Sequence, residues 1–102
     1  MNRILLICSA GMSTSLLVTK MSKAAQEQDF EVDIKAIAEV ALKKYENDMD
    51  VLLLGPQVRF LLNKIKKQLE PKGIPVEVID SINYGTMNGK AVLTQAIELM
   101  HI

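Results

Sequence analysis

Apolar residues fall into four short runs, separated by stretches in which they recur every three or four positions. Ile4-Leu5-Leu6-Ile7 and Val51-Leu52-Leu53-Leu54 are continuously apolar, as expected of strands covered on both faces. Val32-Asp33-Ile34-Lys35-Ala36 alternates strictly and Val76-Glu77-Val78-Ile79 alternates in part. One face of each is therefore less well covered, which fits a sheet edge. Helical stripes lie between the runs. Leu16, Leu17, Met21, Ala24 and Ala25 mark the first, and residues 38–45 give a short second helix. Val58, Leu61, Leu62, Ile65 and Leu69 mark the third, which Pro71 and Gly73 stop; Val92, Leu93, Ala96, Ile97 and Met100 mark the last.

Strands alternating with helices read as βαβ units, an α/β fold around a parallel sheet. With the first and third strands central, and right-handed crossovers linking neighbours, the strand order is 2-1-3-4, with helices on both faces. Such a sheet carries its site outside the carboxyl ends of the strands, where the order reverses between the first and third. Cys8 with its following loop and Gly55-Pro56-Gln57 fall there, and Asp80 to Met87 lie further along the same edge.

Composition narrows the chemistry. The 102 residues suit a single domain, 1–102. A hydrophobic share of 49% is enough for a core without disulfides or metal. The only cysteine is Cys8, which excludes an intramolecular disulfide, a CxxC redox pair and a cysteine-based zinc site. Twelve basic and twelve acidic residues balance to zero net charge, arguing against nucleic acid as a partner. The apolar runs are far too short to span a bilayer, so no direct membrane insertion is expected. The segment Met1 to Cys8 faintly suggests a lipoprotein signal, but its apolar part is too short and Ile7 stands where a small residue is needed. It reads instead as the first strand.

Cys8-Ser9-Ala10-Gly11-Met12-Ser13-Thr14-Ser15 runs from the first strand into the first helix, with small residues, hydroxyls at four positions and a glycine free to take a positive φ. Such a loop can turn consecutive backbone N–H groups toward one point above the positive end of a helix, a nest for a phosphate dianion that needs no basic side chain. The same donors would stabilise a thiolate and make Cys8 nucleophilic. A lone cysteine at a strand end is more often a small buried side chain, and the hydroxyls could simply be helix caps. On the residues alone both readings stay open. Other motifs of this fold class are missing. A receiver domain needs acidic residues where Cys8 and Gly55 stand, and neither the Walker A spacing nor a three-glycine dinucleotide fingerprint is present. Low-molecular-weight tyrosine phosphatases need an arginine six residues after the cysteine, and Thr14 occupies that position.

The stretch from Cys8 to Val18 resembles the active-site loop of enzyme IIB components of the bacterial sugar phosphotransferase system, lactose/cellobiose class. Leu53-Leu54-Gly55-Pro56-Gln57, Pro75-Val76-Glu77-Val78-Ile79-Asp80 and Tyr84-Gly85 resemble that family's later strand ends, so the likeness covers nearly the whole chain. It looks closest to the cellobiose, chitobiose and β-glucoside members. The resemblance implies a low-molecular-weight tyrosine phosphatase-like architecture and a relay. Cys8 takes a phosphoryl group from a phosphohistidine of enzyme IIA and passes it to a sugar carried through the membrane by enzyme IIC. Ser9, Ala10, Gly11, Met12, Ser13, Thr14 and Ser15 would bind the phosphate. A cytoplasmic chain that meets the membrane through enzyme IIC is implied. No cofactor or metal is expected. Nothing in the sequence suggests an obligate interface, so a monomer in isolation is expected while the working oligomeric state stays open. The alternatives are a cysteine phosphatase of the low-molecular-weight type, or an arsenate reductase on that fold, and a non-enzymatic module that binds an anion or partner at the same loop.

The remaining residues are weaker candidates. Met12 could pack on the first helix, but a flexible thioether beside a site used by two partners suits docking. Gln57 could donate to phosphate or partner, or cap the third helix; Asp80 suits a turn or structural hydrogen bond as well as a site contact. Tyr84 could line the rim or pack the turn. Lys64, Lys66, Lys67 and Lys72 form a basic run that reads as a solvated face without a ligand. His101, the only histidine, has nothing to bring it near the first loop.

Overall fold

Four strands, β1 (Asn2–Ile7), β2 (Val32–Ile37), β3 (Val51–Leu54) and β4 (Val76–Val78), pair in parallel in the order β2-β1-β3-β4. This is the order the hydrophobic pattern predicts. The computed structural model describes residues 2–8 and 11–101, with side chains except those of 11–14. All of β3 and residues Ile4 to Ile7 of β1 are buried, while β2 alternates between half-buried and exposed positions along most of its length. Continuous and alternating runs thus separate centre from edge because central strands are covered on both faces.

Side chains leave the central strands alternately to two cores. Ile4, Leu6, Val51 and Leu53 meet Leu17 and Met21 of α1 (Gly11–Glu27) and Val92, Leu93 and Ala96 of α5 (Gly89–Met100). Leu5, Ile7, Leu52 and Leu54 meet Leu42 of α2 (Leu42–Tyr45) and Ile65 and Leu69 of α3 (Leu62–Leu69). A Cβ on Gly89 would lie 2.5 Å from the carbonyl carbon of Lys20. The missing side chain there lets α5 begin against the backbone of α1.

The α2–α3 layer is braced at its surface. Lys64 pairs with Glu39 at 3.2 Å and Lys72 with Glu46 at 3.5 Å. Gln68 donates to Glu46 at 3.2 Å. That hydrogen bond, opposed by partial burial and helped by Lys72, holds the Glu46 carboxyl below its ordinary value.

Three details differ from the sequence expectation. Leu16 is exposed; the buried stripe of α1 runs through Leu17, Met21, Ala24 and Ala25, a complete face without it. The second and third helices open as 3-10 turns, Glu39–Ala41 and Pro56–Leu61. Lastly, a short helix, α4 (Ser81–Gly85), follows β4, too brief to leave a periodic signal. The third helix stops where expected, with Gly73 at φ +80°. Among the described residues, no helix is long and apolar enough to cross a membrane.

Candidate functional site

The register brings Cys8 and Gly55 side by side. Ile7 pairs with Leu54 at the end of the β1–β3 ladder, and the Gly55 N–H donates to the Ile7 carbonyl at 2.8 Å, extending the contact one residue further. Cys8 is half-buried, unpaired, and packed against the α1–α5 core. Gly55 is buried with ordinary extended backbone, φ −62° and ψ 149°, so its conformation does not demand glycine. Space does. A Cβ there would stand 2.9 Å from Cys8 Sγ and 2.6 Å from Gln57 Oε1.

The same measurement places the Gln57 carboxamide. Gln57 sits in the 3-10 turn that Pro56 opens, and its side chain folds back toward Gly55, facing the thiol across the glycine. Pro56 suits that position, since its fixed φ fits the first helical residue and it lacks only an N–H that would go unpaired. The carboxamide offers both an acceptor and two donors, so it can serve a thiol or an anion in its place. No side chain of Gln57 caps the turn.

Past Cys8, residues Ser9 and Ala10 lie outside the described residues, as do the side chains of Met12, Ser13 and Thr14. The backbone at Gly11 already belongs to α1. A 17-residue helix therefore begins three positions after the thiol, with no acidic residue in its first turn. The first N–H groups of a helix have no partner within it, and that end carries partial positive charge. Ser15 is exposed and its carbonyl accepts from the Thr19 hydroxyl at 3.0 Å.

Further along the edge, Asp80 accepts from the N–H groups of Ile82 and Asn83 at 3.0 and 3.1 Å, capping α4. Gln95 of α5 clamps the same corner, donating to the Val78 carbonyl at 2.9 Å and accepting from the Asp80 N–H at 3.3 Å. Tyr84 is buried in the α1–α5 core against which Cys8 also packs, and its hydroxyl has no hydrogen-bond partner among the described residues. His101 is exposed at the end of α5 and lines a depression with Asn2 and Asp50, at the opposite end of the strands from Cys8.

Residues 3–95 match the family model described as PTS system, Lactose/Cellobiose specific IIB subunit. The chain belongs to that family. It is 45% identical over 100 residues to the oligo-beta-mannoside-specific EIIB component of Bacillus subtilis (strain 168), covering 98% of this chain and 97% of the relative. To the galactose-specific EIIB component of Lactococcus lactis subsp. cremoris (strain MG1363) it is 46% identical, covering 96% and 95%. The solution structure of a cellobiose-specific phosphotransferase IIB component from Borrelia burgdorferi superposes with a TM-score of 0.82 at 46% identity, covering 98% and 92%. The chain is thus an EIIB component for lactose/cellobiose-type sugars and a phosphotransfer subunit. Three relatives named for different sugars stand at nearly equal identity, so overall likeness does not select among them.

The IIB chain holds features the sequence did not reveal. Gln95 lies in what reads as a purely amphipathic helix, and only the fold brings its carboxamide to the end of β4. Glycine at position 55 is visible in the sequence; its contact with the thiol is not. Exposed large apolar side chains, among the described residues, are Leu16, Val40, Phe60 and Ile82. Each belongs to a segment that follows a different strand, so all four lie toward the end of the sheet where Cys8 stands. Among the described residues no group of three or more His, Cys, Asp or Glu could hold a metal ion.

Proposed function

We propose that Cys8 is the phosphoryl-carrying residue of this IIB chain, accepting the group from a phosphohistidine of enzyme IIA and delivering it to a sugar entering through enzyme IIC. One observation carries the reading. The only thiol of the chain stands half-buried at the carboxyl end of a central strand, pressed against Gly55 and three positions before the start of α1. The thiolate sulfur attacks phosphorus, the S–P bond forms as the N–P bond of the donor breaks, and the departing imidazole takes up a proton. A sugar hydroxyl oxygen then attacks the same phosphorus, the S–P bond breaks, the thiolate is regenerated and the hydroxyl proton passes to solvent. The segment 9–15 and the α1 terminus would hold the equatorial oxygens through N–H groups and hydroxyls.

Gln57 supports this reading as a neighbouring carboxamide, whose oxygen lies beside Gly55 and whose NH2 group can donate to an anion, while Asp80 and Tyr84 would contribute by shaping the rim. Thr14 in place of a phosphatase arginine leaves out a cation that would equally favour attack by water. A carrier gains by that omission. The sugar is a cellobiose-like β-diglycoside in this proposal, and the chain acts as a single cytoplasmic domain, monomeric alone, reaching the membrane component in turn with enzyme IIA.

The test is incubation with phosphoenolpyruvate, the general phosphotransferase proteins and enzyme IIA. Stable label on the chain, released only when enzyme IIC and sugar are added, is the expected result. Steady release of free phosphate would assign a hydrolase, and no labelling a binding module.

A further inference from the structure

The fold separates charge in a chain that has none overall. The layer formed by residues 39–46 and 56–72, which covers the β-sheet face opposite α1 and α5, carries seven basic and three acidic residues. The rest of the chain carries five basic and nine acidic. The sequence shows a run of lysines on one helix; the fold adds Lys43 and Lys44 of α2 and Arg59 to the same layer. Glu39 and Glu46 each bind one lysine of this layer, which leaves the excess positive.

Two apolar side chains stand at the margin of this layer, toward the Cys8 end. Val40 is 94% exposed and Phe60 76% exposed. Lys64 lines a shallow depression together with Val40, Lys43 and its ion-pair partner Glu39. Cationic and apolar groups are therefore interleaved. Single charges stand near the other two exposed apolar side chains, Asp80 two residues before Ile82 and Lys20 four residues after Leu16, whereas the layer around Val40 and Phe60 carries seven basic residues.

We propose that this basic face rests on an anionic bilayer surface, with Phe60 and Val40 in the headgroup layer. Anionic lipid presents diffuse negative charge, which clustered basic residues meet without any fixed geometry. Six of the seven cations are lysines, which act as flexible point charges, whereas paired recognition of protein carboxylates favours the planar fork of arginine. Isolated, protruding apolar side chains among cations suit insertion between headgroups, where buried apolar area and charge attraction act together. Stable protein partners instead require a broad, closely fitting patch. Held this way, the carboxyl edge of the sheet stays beside the membrane. The proposal does not depend on phosphoryl chemistry at Cys8.

Cosedimentation of the full chain with lipid vesicles tests it. Vesicles containing about a third phosphatidylglycerol should bind the chain at low salt, and pure phosphatidylcholine vesicles should not. Raising the salt severalfold should weaken binding by about tenfold, because exposed charges are screened. Combined Lys43→Glu, Lys64→Glu and Lys67→Glu should abolish binding with an unchanged circular dichroism spectrum, and Phe60→Ser should weaken it severalfold. If the triple variant does not fold, Lys43→Gln with Lys67→Gln carries the test, with an expected loss of about threefold. Equal binding to neutral vesicles, no binding to anionic ones, or binding by the charge variants at the wild-type level would overturn the proposal. Absence of vesicle binding alongside lysine-dependent capture by an acidic partner protein would also overturn it, and assign the face to that protein.

Discussion

The sulfur of Cys8 stands 2.9 Å from where a Cβ on Gly55 would lie. The two residues end adjacent central strands, and the N–H of Gly55 is tied to the Ile7 carbonyl, so neither can easily retreat. Gly55→Ala should therefore cost about 1–3 kcal/mol of stability through overpacking. It should also displace the thiol or Gln57 and slow phosphoryl acceptance more than the stability loss explains. Denaturant unfolding and the labelling rate measure the two effects. A fully active Gly55→Ala chain would mean that the close approach has no part in the chemistry.

Gln57 makes the opposite kind of prediction. It is exposed and caps nothing, so Gln57→Leu should leave stability within about 0.5 kcal/mol. Loss of one hydrogen-bonding group to an anion, worth about 1.5–3 kcal/mol, should slow phosphoryl acceptance by roughly tenfold or more. Equal labelling rates for the two chains would remove Gln57 from the site.

Asp80 binds two N–H groups at the start of α4. Asp80→Ala should cost about 1 kcal/mol, and Asp80→Asn distinctly less, since an amide oxygen can still accept. Thermal melts of both variants decide this. If Asp80→Ala melts like the parent while phosphoryl transfer collapses, the carboxylate acts on the reaction and not on the helix.

Tyr84 buries its hydroxyl without a partner among the described residues, which is unfavourable by about 1–3 kcal/mol relative to a satisfied group. Tyr84→Phe should therefore be neutral or stabilising by up to about 1 kcal/mol in the unphosphorylated chain. A clear loss of stability on that substitution would reveal an interaction of the hydroxyl in the resting chain.

What could be read from the sequence and what could not divide along physical lines. The strand order was legible because Val51 to Leu54 and Ile4 to Ile7 are buried on both faces while β2 alternates, and coverage is written directly into hydrophobicity. The position of Cys8 followed from that order. By contrast, α4 owes its existence to one carboxylate cap and has only five residues, which leaves no period to detect. The contact of Gln95 with β4 and of Gly55 with the thiol depend on how elements meet, and local sequence carries no record of either. Lys64, Lys67 and Lys72 are exposed, as the sequence reading of a solvated face has it. That the lysines of α2 share their layer depends on packing against the same sheet face and leaves no record in local sequence.

The carrier account is tested most directly by locating the phosphoryl group itself. The purified chain, phosphorylated through enzyme IIA and digested under mildly alkaline conditions, should yield one peptide heavier by a single phosphoryl group, and that peptide should contain Cys8. The Cys8→Ser chain, folded by circular dichroism, should take up no label under the same conditions, because a hydroxyl is a far weaker nucleophile near neutral pH. Phosphate found on any other residue, or normal transfer to sugar by the Cys8→Ser chain, would contradict the account.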